Sequence, residues 1–144
     1  MRLLIDTNVF LDILLNRKEF VDTSKAALEK AISEGDNLYL SSSAATDIYY
    51  VIRNQTKSRE QALSGIKKLI TLVRFAEVNE KCILYAALSK VNDYEDAVVD
   101  QVASNIDADY IITRNTKHFK NSRNSVLSPQ EYLELRAKMD LYKQ

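Results

Sequence analysis

Four polar residues of this chain lie at positions that favour a cation-binding site. Asp6 and Asn115 each follow a short apolar run, and Asp47 and Asp96 each border the apolar stripe of a helical segment. Carboxylates that lie close together raise one another's pKa unless a cation neutralises them. Their oxygens are hard ligands, which suit magnesium or manganese. The residue types therefore predict a divalent-cation site, provided that the fold brings the four side chains together.

The strand that precedes Asp6 must position it. Residues 3–5 form an uninterrupted apolar run, which is typical of a fully buried strand in a parallel sheet. Asp6 would then lie at the carboxyl end of this strand, where open α/β sheets bind their ligands. Thr7 and Asn8 carry side chains that favour capping of the helix that follows. A simpler interpretation is that Asp6 only caps this helix.

The segments that carry Asp47 and Asp96 have apolar residues at helical spacing. These are Ala44, Ile48, Val51 and Ile52 near Asp47, and Val99, Val102, Ala103 and Ile106 near Asp96. At roughly 100° per residue, the two carboxylates fall about 80° and about 70° from the centres of their stripes. Each therefore borders a buried face. The competing interpretation is that Asp residues at strand ends and helix starts form turns and caps.

Strands and helices alternate along the rest of the chain. Further strands are predicted at residues 38–40, 75–78, 110–113 and 126–127, and helix starts at Asp22, Thr23 or Ser24, at about Ser43, and at Ser58, Asn79 and Ser128. This alternation predicts an α/β fold with a parallel sheet. No linker or repeat interrupts it, so we expect one domain over residues 1–144, fraying from about residue 136.

The composition excludes several classes of site. One histidine, His118, and one cysteine, Cys82, leave no zinc cluster and no internal disulfide. Two glycines leave no Gly-rich phosphate loop, so P-loop and dinucleotide chemistry are not expected. No apolar run is long enough to cross a membrane, and the cysteine usage is typical of the reducing cytoplasm.

Other acidic residues near these positions have simpler explanations. Asp93 and Asp100 are expected to be helix N-terminal acids that oppose the helix dipole. Asp12 is expected to be a solvated helix residue. Glu95 projects towards the buried side by helical count, so its role stays open.

Five segments of the chain resemble, in order, the motifs of the PIN domain family. They are LLIDTNVFLDILLNR, SSSAATDIYYVIR, DYEDAVVDQVA, DYIITRNTKHF and VLSPQEYL. The chain resembles in particular the compact prokaryotic branch allied to VapC-type toxins. This resemblance implies a Rossmann-like parallel sheet with helices on both faces, and a magnesium- or manganese-dependent ribonuclease. The acidic positions of the family correspond here to Asp6, Asp47 and Asp96, with Asn115 in the fourth motif.

The resemblance also implies roles for these residues and for partners. Asp6, Asp47 and Asp96 would hold one or two metal ions that activate water for attack on an RNA phosphodiester, and Asn115 would complete the catalytic site. The family further implies a toxin role, an antitoxin protein that fills the crevice and a homodimer, while the lack of a long apolar run predicts no membrane as a partner. The alternative is a catalytically weak or inactive PIN-like module that binds RNA or protein.

Two positions depart from the family pattern. Asp47 stands where Glu is frequent, and its shorter side chain would reach a metal through water. His118 stands where the fourth motif commonly has an Asp before Phe, so a fourth acid is missing there. Asn115 offers only a neutral carbonyl oxygen. A lone histidine on a loop is more typically exposed or structural than a general base.

The balance of charge bears on how RNA would be held. Lys plus Arg and Asp plus Glu each number 20, so RNA binding would need a local basic patch rather than a net charge. The candidates for backbone contact are Arg17, Lys18, Arg53, Lys57 and Arg114. Tyr49 and Tyr50 are expected to pack in the core or at a helix interface rather than to stack on bases. The neutral net charge favours the binding-module alternative.

Overall fold

A five-stranded parallel sheet forms the centre of the molecule. The computed structural model describes residues 1–144. The strands are β1 (Arg2–Ile5), β2 (Asn37–Ser41), β3 (Arg74–Ala76), β4 (Tyr110–Ile112) and β5 (Val126–Leu127). Their order across the sheet is β3-β2-β1-β4-β5, and every neighbouring pair is parallel. The predicted α/β fold with a parallel sheet is confirmed.

Seven α-helices connect and follow the strands. They are α1 (Thr7–Leu14), α2 (Val21–Ser33), α3 (Ser42–Thr56), α4 (Arg59–Leu72), α5 (Glu80–Leu88), α6 (Tyr94–Asn105) and α7 (Pro129–Tyr142). A short 3-10 helix, Thr116–Phe119, comes after β4. None of these helices combines the length and the apolar character that a membrane crossing requires.

The strand order reverses at β1. From β1 the chain crosses to β2 and β3 on one side of the sheet, and then returns to β4 and β5 on the other side. Such a reversal leaves a crevice between the carboxyl ends of the two strands that flank it, here β1 and β4. Asp6 is the first residue after β1, so it lies at this crevice.

Helices cover both faces of the sheet because the side chains of β1 alternate between two cores. Leu3 and Ile5 belong to a cluster of 18 buried residues that includes side chains of α1, α2, α3, α4 and α7. Leu4 belongs to a second cluster, of 12 buried residues, that includes side chains of α5 and α6. All three residues are at most 2% exposed, which explains the uninterrupted apolar run.

Hydrogen bonds confirm three of the predicted helix starts. Ser58 and Asn79 each accept a bond from the backbone N–H three residues ahead, at 3.1 and 3.2 Å. Ser128 and Glu131 form a reciprocal capping box at the start of α7. These polar side chains satisfy N–H groups that have no partner within the helix.

Two predicted boundaries were wrong. α2 begins at Val21, so the expected caps at residues 22–24 lie inside the helix, and its N-cap, Phe20, contributes no side-chain hydrogen bond. β3 covers residues 74–76 rather than 75–78. Its pairing with β2 ends at the Ser41–Ala76 pair, because α3 starts directly after Ser41.

Asp12 is fully buried, so the expectation of a solvated residue was wrong. Its Oδ2 accepts hydrogen bonds from Ser24 Oγ at 2.9 Å and from Arg114 Nε at 2.6 Å, and Arg17 Nη1 lies 3.5 Å from its Oδ1. The helical count of α1 could not show this burial, because α2 supplies the cover.

Asp100 is also fully buried, and is not a helix N-terminal acid. It accepts hydrogen bonds from the hydroxyls of Tyr85, at 3.0 Å, and Ser122, and from Asn124 Nδ2 at 2.7 Å. It therefore ties α6 to α5 and to the segment that leads into β5. Asp93 does have the expected place at a helix start, where it caps α6 through the N–H of Asp96 at 3.0 Å.

The helix α7 runs through most of the segment for which we expected fraying. Arg136 is 5% exposed, pairs with Asp36, and donates from Nε to the Tyr132 hydroxyl at 3.0 Å. That hydroxyl and the N-terminal amine of Met1 both donate to Asp36 at 2.7 Å. Burial by itself would raise the pKa of Asp36, but the hydrogen bonds from Arg136, the N-terminus and Tyr132 outweigh burial and lower this pKa. This buried network ties α7 to the segment between α2 and β2.

The three side-chain donors around Asp100 generate a prediction about stability. Asp100→Ala removes the fully buried carboxylate that these three half-buried donors share, so we expect the free energy of unfolding to fall by about 3 kcal/mol. Chemical denaturation followed by circular dichroism measures this loss. The control Glu29→Ala changes an exposed ion pair on α2, which is worth less than about 0.5 kcal/mol. Equal losses in both variants would contradict the structural role of Asp100.

Candidate active site

Asp6 lies at the junction of β1 and α1 and faces the crevice. Its backbone N–H donates to the carbonyl of Ile112 at 2.9 Å, which continues the pairing of β1 with β4. Its Oδ1 accepts from the N–H of Thr7, and its Oδ2 from the hydroxyl of Thr113, both at 2.8 Å. Asp6 is thus the N-cap of α1 as well as a crevice residue. Burial raises the pKa of Asp6, although the bonds from Thr113 and Thr7 oppose this.

Thr113 and Asn8 hold Asp6 in place, and neither was predicted as a site residue. Thr113 is fully buried. Asn8 Nδ2 lies 3.3 Å from Thr113 Oγ1 and 3.4 Å from Asp6 Oδ2, and its Oδ1 accepts from the N–H of Arg114 at 3.3 Å. The hydroxyl of Thr113 also accepts from the N–H of Asn115 at 3.1 Å. The sequence predicted Thr113 as the last residue of a strand, but β4 ends at Ile112, so Thr113 follows β4 as Asp6 follows β1.

The side chains around Asp6 line an open pocket of about 240 Å³, which we call the acidic pocket. It is lined by Asp6, Thr7, Asn8, Leu11, Asp93, Glu95, Asp96, Asn115 and His118. The structure therefore brings together three of the four predicted site residues, Asp6, Asp96 and Asn115. These three residues come from three separate parts of the chain. Four of the nine residues that line the pocket are acidic.

Asp96 enters the acidic pocket from the first turn of α6. Burial and the negative charges of Asp6 and Asp93 raise the pKa of Asp96 to about 6, while the charge of His118 and a hydrogen bond from it act in the opposite direction. His118 Nδ1 lies 3.5 Å from Asp96 Oδ2. The histidine that replaces a family acid therefore contacts a proposed metal ligand.

Asp47 does not line the acidic pocket, but it approaches Glu95, which does. Asp47 is exposed on α3. Burial, the charge of Asp47 and a hydrogen bond to it raise the pKa of Glu95 to about 7, and Asp6 and Asp93 add to this effect. Glu95, whose role the sequence left open, is thus the acid that connects Asp47 to the other carboxylates.

The donors of the acidic pocket match a hard divalent cation in type. All the candidate ligands offer oxygen, and the acids raise one another's pKa, a repulsion that a bound cation would relieve. No group of three or more His, Cys, Asp or Glu side chains is arranged as a ready metal shell. The residues therefore fit a metal site in the type of their donor atoms, and not in a preformed arrangement around an ion.

The five basic candidates lie outside the acidic pocket. Arg17 and Arg114 contact the buried Asp12. Lys18 and Lys57 are exposed, and Arg53 is half-buried.

The two tyrosines of α3, Tyr49 and Tyr50, differ from each other. Tyr49 packs against the larger core cluster, as expected, whereas Tyr50 is 58% exposed, and their rings meet edge to face with centroids 5.2 Å apart.

The fold and the pocket together define an α/β protein with an acidic crevice where the strand order reverses. The model of the PIN domain family matches residues 2–117, and the chain belongs to this family. This assignment confirms the resemblance seen in the motifs.

Known proteins of the VapC type are among the relatives. Ribonuclease VapC1 of Aquifex aeolicus (strain VF5) is 27% identical over 138 residues, which cover 92% of this chain and 94% of that protein. The solved structure of VapBC2 from Rickettsia felis, which is bound to a DNA fragment from its promoter, is similar to this chain, with a TM-score of 0.71 and 16% identity. This match covers 89% of this chain and 98% of that one. FitAcB from Neisseria gonorrhoeae has a TM-score of 0.69 and 19% identity, with 89% and 98% covered. At these identities the two structures show the fold alone.

The raised pKa values generate a prediction about pH and stability. Between the ordinary value of 4.5 and the raised value of about 7, folded Glu95 retains a proton that the unfolded chain has released. The free energy of unfolding of the metal-free protein should therefore fall as pH rises through this interval. Asp96, with a pKa of about 6, should add to the fall.

Thermal unfolding in chelator between about pH 4 and pH 8 measures this effect. We expect Glu95→Gln to show a smaller fall than the unaltered protein and to be the more stable of the two above pH 7. Glu29→Gln, which changes an exposed acid, should follow the unaltered protein. A pH dependence unchanged by Glu95→Gln would show that Glu95 is not in the repulsive cluster.

Proposed function

We propose that the protein is a divalent-metal-dependent endoribonuclease that uses magnesium or manganese. The observation that carries this proposal is the convergence of Asp6 and Asp96, with Glu95, in one pocket where the strand order of a PIN domain reverses. The similarity to Ribonuclease VapC1 supports RNA as the substrate. The absence of a histidine or cysteine cluster leaves carboxylates as the groups available for hydrolysis.

Asp6, Asp96 and Asp47 are the proposed metal ligands, with Asn115 as the fourth residue of the catalytic site. These residues would hold a divalent ion, which would lower the pKa of a bound water for attack on the phosphodiester and stabilise the departing oxygen. The hydroxyl of Thr113 and the amide of Asn8 orient the carboxylate of Asp6. Asp93 fixes the first turn of α6 and with it the backbone of Asp96. The charge of Asp47 raises the pKa of Glu95, so Asp47 acts on an acid that lines the pocket.

We propose further that the protein is the toxin of a toxin–antitoxin pair in the cytoplasm. The fold shared with VapBC2 supports an antitoxin protein as its partner, and the family resemblance supports a homodimer. The second candidate is a PIN-like module that binds RNA or protein without cleaving it. His118 favours this candidate, because a histidine beside Asp96 replaces a family acid.

The proposed ligands generate a prediction about activity. Asp6→Asn and Asp96→Asn should each lower cleavage of single-stranded RNA by at least about a hundredfold in manganese, because a neutral amide holds a divalent ion less well than a carboxylate. The measurement is the rate of cleavage of a labelled RNA by protein free of contaminating nuclease. The control Asp22→Asn changes an exposed acid on α2 and should keep full activity.

Thermal unfolding provides a readout that does not depend on activity. Manganese at a hundred times its dissociation constant should stabilise the unaltered protein by about 2.7 kcal/mol. Asp6→Asn should be more stable in chelator, since one of the repelling charges is gone, and should gain less from manganese. Full cleavage by Asp6→Asn, or an equal gain from manganese, would refute its role as a ligand. Manganese binding without any cleavage by the unaltered protein would favour the binding module.

The position of His118 generates a separate prediction about metal affinity. His118→Asp places a carboxylate beside Asp96 and restores the acid that the family pattern has there. We expect manganese to bind about tenfold more tightly, because an added charged ligand increases the attraction for the ion. Isothermal titration calorimetry measures this affinity, with His118→Asn as the neutral control. An unchanged dissociation constant in His118→Asp would show that this position does not reach the metal.

A further inference from the structure

A second cleft, of about 400 Å³, adjoins the acidic pocket. It lies between α2, the segment after β4 and the start of α7, and we call it the basic cleft. Its lining includes Phe20, Thr23, Arg114 and Gln130, and Asn115 lines both this cleft and the acidic pocket. A polymer that lies in one of them therefore meets the other at Asn115.

The two neighbouring cavities differ in charge. None of the eight residues that line the basic cleft is acidic, and Arg114 is basic, whereas four of the nine residues of the acidic pocket are acids. Behind the cleft, the buried Asp12 pairs with both Arg17 and Arg114. On the α7 side of the cleft, the carboxylate of Glu131 accepts from the N–H of Ser128 at 2.7 Å, so the positive charge is confined to the side formed by Arg114. An anionic group is thus favoured there, although the chain as a whole has no net charge.

The side chain of Arg114 is held in one orientation. Its Nε donates to Asp12 Oδ2 at 2.6 Å, and its guanidinium lies 3.8 Å from the centre of the Phe20 ring. Neither of its terminal NH₂ groups donates to another protein group, and the side chain is 20% exposed. A fixed, planar guanidinium with free donors is well suited to a phosphate group, since little entropy is lost on binding.

We propose that the basic cleft binds a backbone phosphate of single-stranded RNA through Arg114, next to the nucleotide at the acidic pocket. Asp12 and Phe20 act as positioning residues for the guanidinium. This inference rests on the proposed ribonuclease function. It adds the path of the bound strand, which runs from the acidic pocket past Asn115 towards α2 and α7. The competing explanation is that Arg114 only ties α1 to the segment after β4.

The salt dependence of RNA binding distinguishes these explanations. The probe is a fluorescein-labelled oligouridylate of about 12 nucleotides, a length within the usual range of single-strand sites. Fluorescence anisotropy on the Asp6→Asn background, where we expect cleavage to be slow, gives the association constant as salt is varied. Loss of one phosphate contact reduces the slope of log affinity against log salt by about 0.7. We expect this reduction in Arg114→Gln, with roughly tenfold weaker binding at about 0.1 M salt.

Arg123→Gln is the matched control. Arg123 also lies over an aromatic ring, 4.0 Å from the centre of Tyr85, but it lines neither cavity. It should leave the slope unchanged. A slope that is unaffected by Arg114→Gln, or that is reduced equally by Arg123→Gln, would overturn the proposed phosphate site.

A second pair of variants covers the case in which Arg114→Gln fails to fold. Gln130→Glu adds a negative charge to the basic cleft, and Gln61→Glu adds one to the first turn of α4, away from it. Both residues are exposed in a first helical turn, where an acid is favourable. In Gln130→Glu this gain is offset by repulsion from Glu134, to which Gln130 donates at 3.1 Å, and the cost of such an exposed pair is too small to unfold the protein. We expect Gln130→Glu to weaken oligouridylate binding several-fold and Gln61→Glu to have no effect. Equal effects would overturn the inference.

The outcomes separate this inference from the proposed function. If the unaltered protein cleaves RNA but neither Arg114→Gln nor Gln130→Glu alters binding relative to its control, only the phosphate site is wrong. If the unaltered protein neither cleaves RNA nor binds the oligouridylate, the proposed function fails and the phosphate site fails with it.

Discussion

The parallel pairing of β1 with β4 is the constraint on which the candidate site depends. It aligns the carboxyl ends of the two strands, so that Asp6 after β1 meets Thr113 after β4, as the 2.8 Å bond between their side chains shows. The same alignment directs Asn115 to the crevice, and α6, packed on the sheet face that Leu4 occupies, brings Asp96 to it. If this register slipped by one residue, β1 would turn its side chains to the wrong faces. The core and the site therefore depend on one register.

The acids of this protein fall into two groups that differ in how their charge is compensated. Asp12 and Asp100 are fully buried and receive hydrogen bonds or ion pairs from several donors, and Asp36 is bound by Arg136, Tyr132 and the N-terminus. These acids connect helices and loops. Asp96 and Glu95 face mainly other carboxylates, which together with burial raise their pKa. A protein holds such a cluster at a cost in stability, and the cluster is therefore the stronger candidate for function.

The second electrostatic feature is the contrast between two adjoining cavities in a chain of zero net charge. An acidic pocket alone would repel RNA, whose backbone is a polyanion, unless metal ions neutralise it. A neighbouring cleft in which Arg114 presents a positive charge would hold the strand beside the pocket while the pocket holds the cation. Arg114 would suit this proposed arrangement, because the buried Asp12 fixes it without using its terminal donors. Arg114 thus contacts the structural acid Asp12 and also lines the cleft proposed to bind RNA.

The sequence by itself determined the elements and their type. Apolar runs, helical spacing and caps such as Ser58, Asn79 and Ser128 are local properties, so the α/β alternation and most helix starts were predictable from them. The motifs indicated Asp6, Asp47, Asp96 and Asn115, and the structure brings all of these except Asp47 to one pocket. Only the tertiary structure decided which acids are buried and which approach one another, because burial depends on neighbours from distant parts of the chain. The burial of Asp12 under α2, the network of Asp100, the support of Asp6 by Thr113, and the effect of Asp47 on the pKa of Glu95 all depend on pairings between such distant segments.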